Sequence, residues 1–120
     1  QKQLPIDLFA MGEGFTWETQ NRERDMEMAK LAWEKAVSLI HDPSYQLVVL
    51  DELNIILYYD YLSAEEVLSV LKQKRPELHI IITGRYAKDE LIEWADLVTE
   101  MRMVKHPDRK GIRAQKGIEF

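Results

Sequence analysis

The sequence predicts an α/β fold in which helices flank a mostly parallel sheet. Short apolar segments of strand length alternate along the chain with longer segments whose apolar residues recur every three or four positions. The segment 45–50 shows no polar alternation after Gln46, so both of its faces are expected to be buried, as in parallel sheets. Polar residues follow the apolar segments, and ligands of parallel sheets bind at the carboxyl-terminal ends of the strands.

The first half of the chain predicts a strand, a glycine-containing loop, a long helix and a second strand. Ile6 to Phe9 reads as a short strand, and the long helix is predicted from about Glu18 to His41. Asp42-Pro43-Ser44 is expected to end this helix, and Tyr45 to Leu50 to form the second strand. The helix prediction rests on apolar residues at helical spacing, namely Met26, Ala29, Trp33, Ala36, Val37 and Ile40.

The second half predicts two helices around a third strand, and then a fourth strand. Ser63 and Glu66 have the spacing of a capping box, which opens a helix that Pro76 closes. The remaining elements are a short helix or turn from Asn54 to Tyr61, a strand from His79 to Thr83, a turn at Gly84-Arg85, a helix from Asp89 to Ala95, and a last strand from Leu97 to Met101.

The composition indicates a single domain, residues 1–120, that folds around one core. A chain of this length buries about two-thirds of its unfolded surface. It has no cysteine, which excludes disulfides, thiol nucleophiles and thiolate metal sites. No apolar run approaches the ~20 residues that span a bilayer, and no secretory leader precedes Gln1. We therefore expect a soluble, cytoplasmic protein with no membrane partner.

The net charge of −5 is unevenly distributed between an acidic body and a basic tail. Residues 105–120 carry five Lys or Arg against two acids, which leaves eleven against nineteen in the rest of the chain. An acidic body repels a phosphate backbone, so nucleic acid is not an expected partner. The tail is better suited to docking on the acidic body or closing over a small anionic ligand.

The loop after the first strand combines two glycines with two aromatic residues. Gly12-Glu13-Gly14 lacks the third glycine of a dinucleotide fingerprint, and the chain has no Gly-Lys-Ser/Thr phosphate loop. The glycines are consistent with a tight turn that needs positive φ. Alternatively, Phe15 and Trp17 project on one side of an extended loop, where their rings would press on a planar macrocycle or stack on a base.

Asp51 and Glu52 end the second strand and suggest a metal site. Mg²⁺ prefers one or two carboxylates together with waters and substrate phosphates. Two alternatives remain open: the acids cap the following turn, or Glu52 orients a water in a hydrolase. Arg85, after Thr83-Gly84, either clamps a phosphate in bidentate fashion or is an ordinary surface residue.

Other conspicuous side chains carry weaker signals. The histidines at 41, 79 and 106 lack the spacing of zinc ligands. Trp33 and Trp94 lie on apolar helix faces and are expected in the core or at a subunit contact. The tyrosines at 58, 59 and 61 fit either a pocket rim or a dimer surface, and the sequence does not decide between them.

Taken together, these segments closely resemble the P-loop type of ATP:corrinoid adenosyltransferase, also called cob(I)alamin adenosyltransferase. Each segment alone is a weak signal, but the combination is highly specific and covers nearly the whole chain. The matching segments are residues 11–20, 48–54, 82–85, 95–102, 104–107, 111–112 and 115–119.

The resemblance implies a P-loop NTPase-like (RecA-like) fold and transfer of the 5′-deoxyadenosyl group of ATP to the cobalt of a reduced corrinoid, with release of triphosphate. It further implies that Phe15 and Trp17 are catalytic, since they displace the lower axial ligand and leave a four-coordinate Co(II) that is easier to reduce. Asp51 and Glu52 match the acids that accompany Mg²⁺. The implied cofactor-binding residues are Gly12, Glu13, Gly14, Phe15, Trp17, Asn54 and Arg85.

The resemblance also implies a homodimer that is reduced by a flavoprotein such as flavodoxin. Family members begin with a strand and a Gly-Lys-Thr phosphate loop, neither of which precedes Gln1 in this sequence. We therefore expect the chain to be the carboxyl-terminal part of an adenosyltransferase domain, with an opened sheet edge, a partner chain or an unusual association. The competing hypotheses are a catalytically inactive corrinoid- or nucleotide-binding remnant and a generic ATPase.

Overall fold

A computed structural model describes the backbone of residues 6–10 together with residues 21–105. Strands and helices alternate through this part of the chain, as the sequence predicts. The elements are β1 (Ile6–Ala10), α1 (Arg22–His41), β2 (Leu47–Asp51), α2 (Leu53–Tyr58), α3 (Ala64–Lys72), β3 (His79–Ile82) and α4 (Asp89–Trp94). None of the described helices is both long enough and apolar enough to cross a membrane.

The described strands form one parallel sheet in the order β1-β2-β3. Ala10 lies opposite Asp51 in the register of β1 and β2, and Leu50 lies opposite Ile82 in the register of β2 and β3. The α/β class and the parallel sheet are therefore confirmed. Since the strands run in the same direction, the connections that leave their carboxyl-terminal ends emerge at one edge of the sheet.

Helix α1 begins at Arg22 because Asn21 caps it. The Asn21 side chain accepts a hydrogen bond of 3.1 Å from the Arg24 backbone N–H, which satisfies one of the amides that a helix start leaves unpaired. The sequence predicted a start near Glu18, and residues 18–20 lie outside the described part. The helix ends at His41, as predicted, and Asp42 is its C-cap.

The core lies between one face of the sheet and the apolar sides of the helices. Helix α1 contributes the face predicted from its spacing, with Met26 and Val37 at its partly buried margins. The Ser63 cap of α3 is confirmed, since its Oγ accepts from the Glu66 N–H at 3.3 Å. The fully or nearly fully buried side chains include Ala29, Ala36, Ile40, Val48, Leu50, Leu53, Ile56, Leu57, Val67, Leu71 and Leu78.

Only one face of β2 is fully buried, which corrects the prediction of two buried faces. Val48 and Leu50 are inaccessible to solvent, whereas Leu47 and Val49 on the other face are partly exposed. Ile81 of β3, which lies in register with Val49, is 48% exposed. Within the described residues, helices cover the sheet face of Val48 and Leu50 completely, whereas the face of Leu47 and Val49 is covered only in part.

The predicted strand from Leu97 to Met101 is wrong for this structure. Residues 97–101 form no strand, and Leu97 is 83% exposed. A strand needs a neighbouring strand to satisfy its backbone N–H and C=O groups. No described strand pairs with this segment, although its apolar residues have strand character. Local sequence was therefore insufficient to form the element.

Arg75 ties together two connections at the amino-terminal ends of the strands. Its Nη2 donates to the Tyr45 carbonyl oxygen at 2.6 Å and to the Asp42 carbonyl oxygen at 3.4 Å. These carbonyls lie in the connection from α1 to β2, whereas Arg75 lies in the connection from α3 to β3. One guanidinium group thus fixes the end of the sheet opposite to the carboxyl-terminal ends of the strands.

Candidate functional site

The turn from β2 into α2 places two acidic residues at the carboxyl-terminal edge of the sheet. Asp51 is the last residue of β2, and Glu52 is the N-cap of α2. Glu52 has φ 68 and ψ 12, the left-handed conformation, which reverses the chain within one residue. We call residues 51–54, at the end of β2, and residues 83–86, after β3, the carboxyl-terminal rim.

Thr83 connects the two halves of this rim. Its Oγ1 donates to Asp51 Oδ1 at 2.5 Å and accepts from the Glu52 backbone N–H at 3.0 Å. Its backbone carbonyl accepts from the Asn54 N–H at 3.2 Å. The turn after β2 is therefore built around one threonine of the neighbouring strand end.

Gly84 allows the two connections to approach each other closely. Its φ is +134°, and a Cβ at this position would lie 2.8 Å from the Asn54 Cβ. Both the backbone conformation and the contact exclude other side chains. The connection after β3 consequently packs directly on the first turn of α2.

The charges of the rim influence one another. Burial, and after it the neighbouring Asp51 charge, raise the pKa of Glu52, whereas the Arg85 guanidinium acts in the opposite direction. Three of the predicted site residues, Asp51, Glu52 and Arg85, therefore lie within electrostatic range of each other. Two carboxylates and a cation at the end of a parallel sheet suit a phosphate ligand that carries a divalent cation.

Asn54 contributes a buried oxygen atom without a hydrogen-bond donor. The residue is only 9% exposed, and its Oδ1 accepts no hydrogen bond within the described part of the chain. Buried polar atoms normally have a hydrogen-bond partner, and no described residue supplies one to this oxygen. An amide oxygen together with carboxylates fits the preference of Mg²⁺ for oxygen ligands.

The remaining predicted site residues are Gly12, Glu13, Gly14, Phe15 and Trp17, and they lie outside the described residues. The described residues that flank the segment 11–20 lie near the rim. Ala10 lies opposite Asp51 in the sheet register, and Arg22 Nη2 donates to the carbonyl oxygen of Tyr59, just after α2, at 2.9 Å. The segment 11–20 thus connects two points next to the rim.

Sequence reasoning missed two features of the rim. Thr83 was predicted as the last residue of the third strand but given no partner, although a polar residue at the end of an isoleucine-rich strand is the signal that identifies it. Tyr86 was not singled out at all. It has φ 59, which is rare for a bulky residue, and its ring lies 4.5 Å from that of Tyr58. The sequence carries no signal for this backbone conformation.

The tyrosines at the end of α2 and just after it form an aromatic cluster next to the rim. Ring centroids of Tyr58 and Tyr59 lie 5.2 Å apart, and those of Tyr59 and Tyr61 lie 5.7 Å apart. Arg22 sits over the Tyr61 ring at 5.0 Å, and Tyr61 is buried. The ring of Tyr58 also contacts that of Tyr86 at 4.5 Å, so the aromatic residues after β2 and β3 meet.

The described part of the chain contains no cluster of three or more His, Asp or Glu side chains that could hold a metal by themselves. Asp51 and Glu52 supply two carboxylates at most. A groove between α3 and α4 involves none of the rim residues, and it is lined by Glu65, Leu68, Ser69, Lys72, Glu90, Glu93 and Trp94.

Comparison with known proteins gives a consistent result. A sequence model of the family described as "ATP:corrinoid adenosyltransferase BtuR/CobO/CobP" matches residues 1–120. Proteins named corrinoid adenosyltransferase are 57% identical over 113 residues in a Sinorhizobium species and 50% identical over 115 residues in Pseudomonas aeruginosa. Corrinoid adenosyltransferase CobA of Salmonella typhimurium is 42% identical over 115 residues.

These alignments cover most of this chain but only part of each relative. They include 93%, 96% and 96% of the chain, and 53%, 57% and 59% of the respective relatives. The chain therefore spans little more than half the length of the curated relatives it matches.

Proposed function

The chain belongs to the ATP:corrinoid adenosyltransferase family, and from this premise we propose that its full-length gene product adenosylates a reduced corrinoid. The cobalt of Co(I) donates an electron pair to the ribose C5′ of ATP. The cobalt–carbon bond forms as the bond between C5′ and the triphosphate oxygen breaks, and triphosphate leaves. The family match over residues 1–120 is the observation that carries this proposal.

The carboxyl-terminal rim supports the nucleotide half of the reaction. Asp51 and Glu52 would hold Mg²⁺ through their carboxylates, which are ligands of the kind that Mg²⁺ prefers. When bound, Mg²⁺ would neutralise charge on the departing triphosphate. Arg85 is exposed on the same rim and would offer its guanidinium group to a phosphate.

The corrinoid half of the reaction is assigned to the segment 11–20. Phe15 and Trp17 would displace the lower axial ligand, and Gly12, Glu13 and Gly14 would let the chain approach the flat ring. The support comes from the ends of the segment, since Ala10 lies opposite Asp51 and Arg22 contacts Tyr59. A corrinoid held by this segment would thus face the rim that holds ATP, which the attack on C5′ requires.

The fold that this function needs extends beyond the 120 residues. We propose a RecA-like, P-loop arrangement in which sequence outside this chain supplies a further strand and the Gly-Lys-Thr phosphate loop. The relatives are nearly twice as long as the aligned region, which leaves ample length for both. The proposal includes a cytoplasmic homodimer and a flavoprotein such as flavodoxin as the electron donor.

The test is anaerobic turnover by the full-length gene product with ATP, Mg²⁺ and a corrinoid. We expect a light-sensitive cobalt–carbon bond in the absorption spectrum and one triphosphate per corrinoid. Chemically prereduced Co(I) serves as the control for variants Phe15→Ala and Trp17→Ala. They should lose far more activity with Co(II) plus a flavoprotein than with Co(I), because the rings act before reduction.

Failure of the wild-type protein to form the bond from prereduced Co(I) would refute the proposal. Corrinoid binding without bond formation would instead support an inactive binding remnant. Phosphate release without corrinoid would support an ATPase. Equal losses of the two aromatic variants on both cobalt states would refute the role assigned to the rings and leave the reaction itself intact.

A further inference from the structure

Thr83 makes four hydrogen bonds at the carboxyl-terminal rim. Its backbone N–H donates to the Leu50 carbonyl at 3.3 Å, and its backbone carbonyl accepts from Asn54 at 3.2 Å. Its hydroxyl bonds Asp51 and Glu52 at 2.5 and 3.0 Å. Through these four bonds it contacts the end of β2, the turn after it and the start of α2.

The direction of the hydroxyl bonds is fixed by their partners. The Glu52 backbone N–H can only donate, so it occupies a lone pair of the Thr83 oxygen. The single hydroxyl proton is then directed to Asp51 Oδ1. This bond holds the Asp51 carboxylate in one orientation, and among the described residues no donor occupies its other oxygen, Oδ2.

We propose that Thr83 is a positioning residue that presents Asp51 Oδ2 to the divalent cation of the bound nucleotide. The inference rests on the proposed function, because that function supplies the cation. Hydrogen bonds to a ligating carboxylate fix its orientation, and their loss typically weakens metal affinity about 10–100-fold. The Thr83 hydroxyl is placed to do this for Asp51.

The turn around Thr83 links the orientation of Asp51 to the backbone conformation of Glu52. Glu52 holds a left-handed backbone conformation that is unfavourable for a residue with a side chain. Its N–H is bonded by the Thr83 hydroxyl, so the same atom stabilises the turn and orients the acid. Gly84 then keeps Thr83 close to α2, since its missing side chain allows contact with Asn54.

A purely structural role for Thr83 makes a different prediction from a positioning role. If the hydroxyl only joined β3 to the turn, its removal would lower stability without changing cation affinity in the protein that remains folded. If it positions Asp51, cation affinity falls in folded protein, and the fall requires the Asp51 carboxylate. The experiment therefore measures cation binding, stability and the dependence on Asp51 separately.

The variants are Thr83→Val, which has the same shape but no hydroxyl, and Thr83→Ser, which retains the hydroxyl. Mn²⁺ is titrated into the full-length gene product with ATP present, and free Mn²⁺ is followed by electron paramagnetic resonance. We expect Thr83→Val to bind Mn²⁺ at least about 10-fold more weakly. Thr83→Ser should remain within about 3-fold of wild type, as should Ser69→Ala, which removes an exposed hydroxyl group from α3 away from the rim.

Thermal unfolding of each variant identifies the folded fraction, and Thr83→Ala is the second variant if Thr83→Val does not fold. Valine places a methyl group against the Glu52 N–H, whereas alanine leaves space for a water molecule. In an Asp51→Asn background, Thr83→Val or Thr83→Ala should change Mn²⁺ affinity by less than about 2-fold, because the carboxylate through which Thr83 acts is gone.

Two results would overturn the inference. One is wild-type Mn²⁺ affinity in folded Thr83→Val or Thr83→Ala protein, and the other is a loss in Thr83→Ser as large as that in Thr83→Val. Either result counts against the inference when the wild-type protein binds Mn²⁺ in the presence of ATP and forms the cobalt–carbon bond. A wild-type protein that does neither refutes the proposed function instead, so the two failures are distinguishable.

Discussion

Gly84 lies where an added methyl group would strain its own backbone and also collide with Asn54. Its φ of +134° disfavours any residue with a side chain, and the added Cβ would meet the Asn54 Cβ at 2.8 Å. We expect Gly84→Ala to lower the free energy of unfolding by about 2 kcal/mol or more, since overpacking and backbone strain both contribute.

The measurement for Gly84→Ala is urea unfolding of the full-length protein, with the slope m compared between variants. Arg85→Ala is the control for stability, because the neighbouring residue is exposed and should change the free energy of unfolding by less than about 0.5 kcal/mol. An unchanged midpoint for Gly84→Ala would show that the connection after β3 does not pack on α2.

The surroundings of Glu52 favour its protonated form, so this residue makes the stability of the protein depend on pH. Burial and the Asp51 charge raise the pKa of this carboxyl group above the ordinary value of 4.5. A carboxyl group with a raised pKa in the folded state disfavours folding above that pKa, and the effect disappears as the pH falls below the unfolded value. Glu52→Gln should therefore stabilise the protein at neutral pH.

The expected signature is a stability difference between Glu52→Gln and wild type that is positive at pH 7 and fades as the pH falls to about 4.5 and below. It is measured by urea unfolding across that range without divalent cations. Glu34→Gln, which changes an exposed acid of α1, is the matched control. A difference that grows as the pH falls would contradict the assigned environment of Glu52.

At the scale of elements, Asn21 fixes where α1 begins. Its side chain accepts from the Arg24 N–H at 3.1 Å, and it directly precedes Arg22, which contacts Tyr59. Asn21→Ala should lower the free energy of unfolding by about 1 kcal/mol, because an amide at the helix start loses its acceptor. Asn21→Ser preserves a capping oxygen and should lose little.

Chemical denaturation with far-ultraviolet circular dichroism measures this effect. Ser63→Ala removes the corresponding cap of α3, which the sequence predicted. We expect this variant to lower the free energy of unfolding by a similar amount, about 1 kcal/mol. If Asn21→Ala and Asn21→Ser were equally stable, the cap would contribute nothing to α1.

The elements that the sequence predicted correctly are those specified by local pattern. The Ser63 cap and the apolar face of α1 depend on residues close together in sequence, so spacing was sufficient. The apolar segments that form the three strands were recognisable from local composition, although their pairing joins residues far apart in the chain. The strand from Leu97 to Met101 was wrong because a strand depends on a partner that spacing does not reveal. The left-handed conformations of Glu52 and Tyr86 were missed because neither residue type favours them.

The same reasoning applies to the candidate site. The sequence predicted that polar residues after β2 and β3 share one edge, and the structure brings Asp51, Glu52 and Arg85 together there. It did not predict the bond between Thr83 and Asp51, because this bond depends on the pairing of β2 with β3. The functional roles of these residues stay predictions.

At the scale of the whole molecule, apolar surface remains exposed on one face of the sheet and in the segment after α4. Ile81 is 48% exposed and Val104 is 92% exposed, and β3 is an edge strand of the described sheet. In a gene product as long as the relatives, we expect additional chain to cover these groups, since unpaired apolar edges promote association.

Hydrogen exchange tests this expectation by comparing the 120-residue chain with the full-length gene product. Amides of residues 79–82 and 97–104 should exchange more slowly in the longer protein, because covering strands or helices protect their hydrogen bonds. The amides of α1 serve as the internal control. Equal exchange of the two regions in both proteins would contradict the expectation.

The hydrogen bonds of Arg75 to the connection before β2 mark a rigid site where a label can be attached for single-molecule measurements. They secure the amino-terminal ends of β2 and β3, which lie opposite the rim, and the adjoining Pro43 is exposed. Because the sequence has no cysteine, Pro43→Cys would introduce the unique thiol of this chain. A surface linker attached there would tether every copy at the end of the sheet opposite the ligand-facing edge and leave that edge accessible from the bulk solvent.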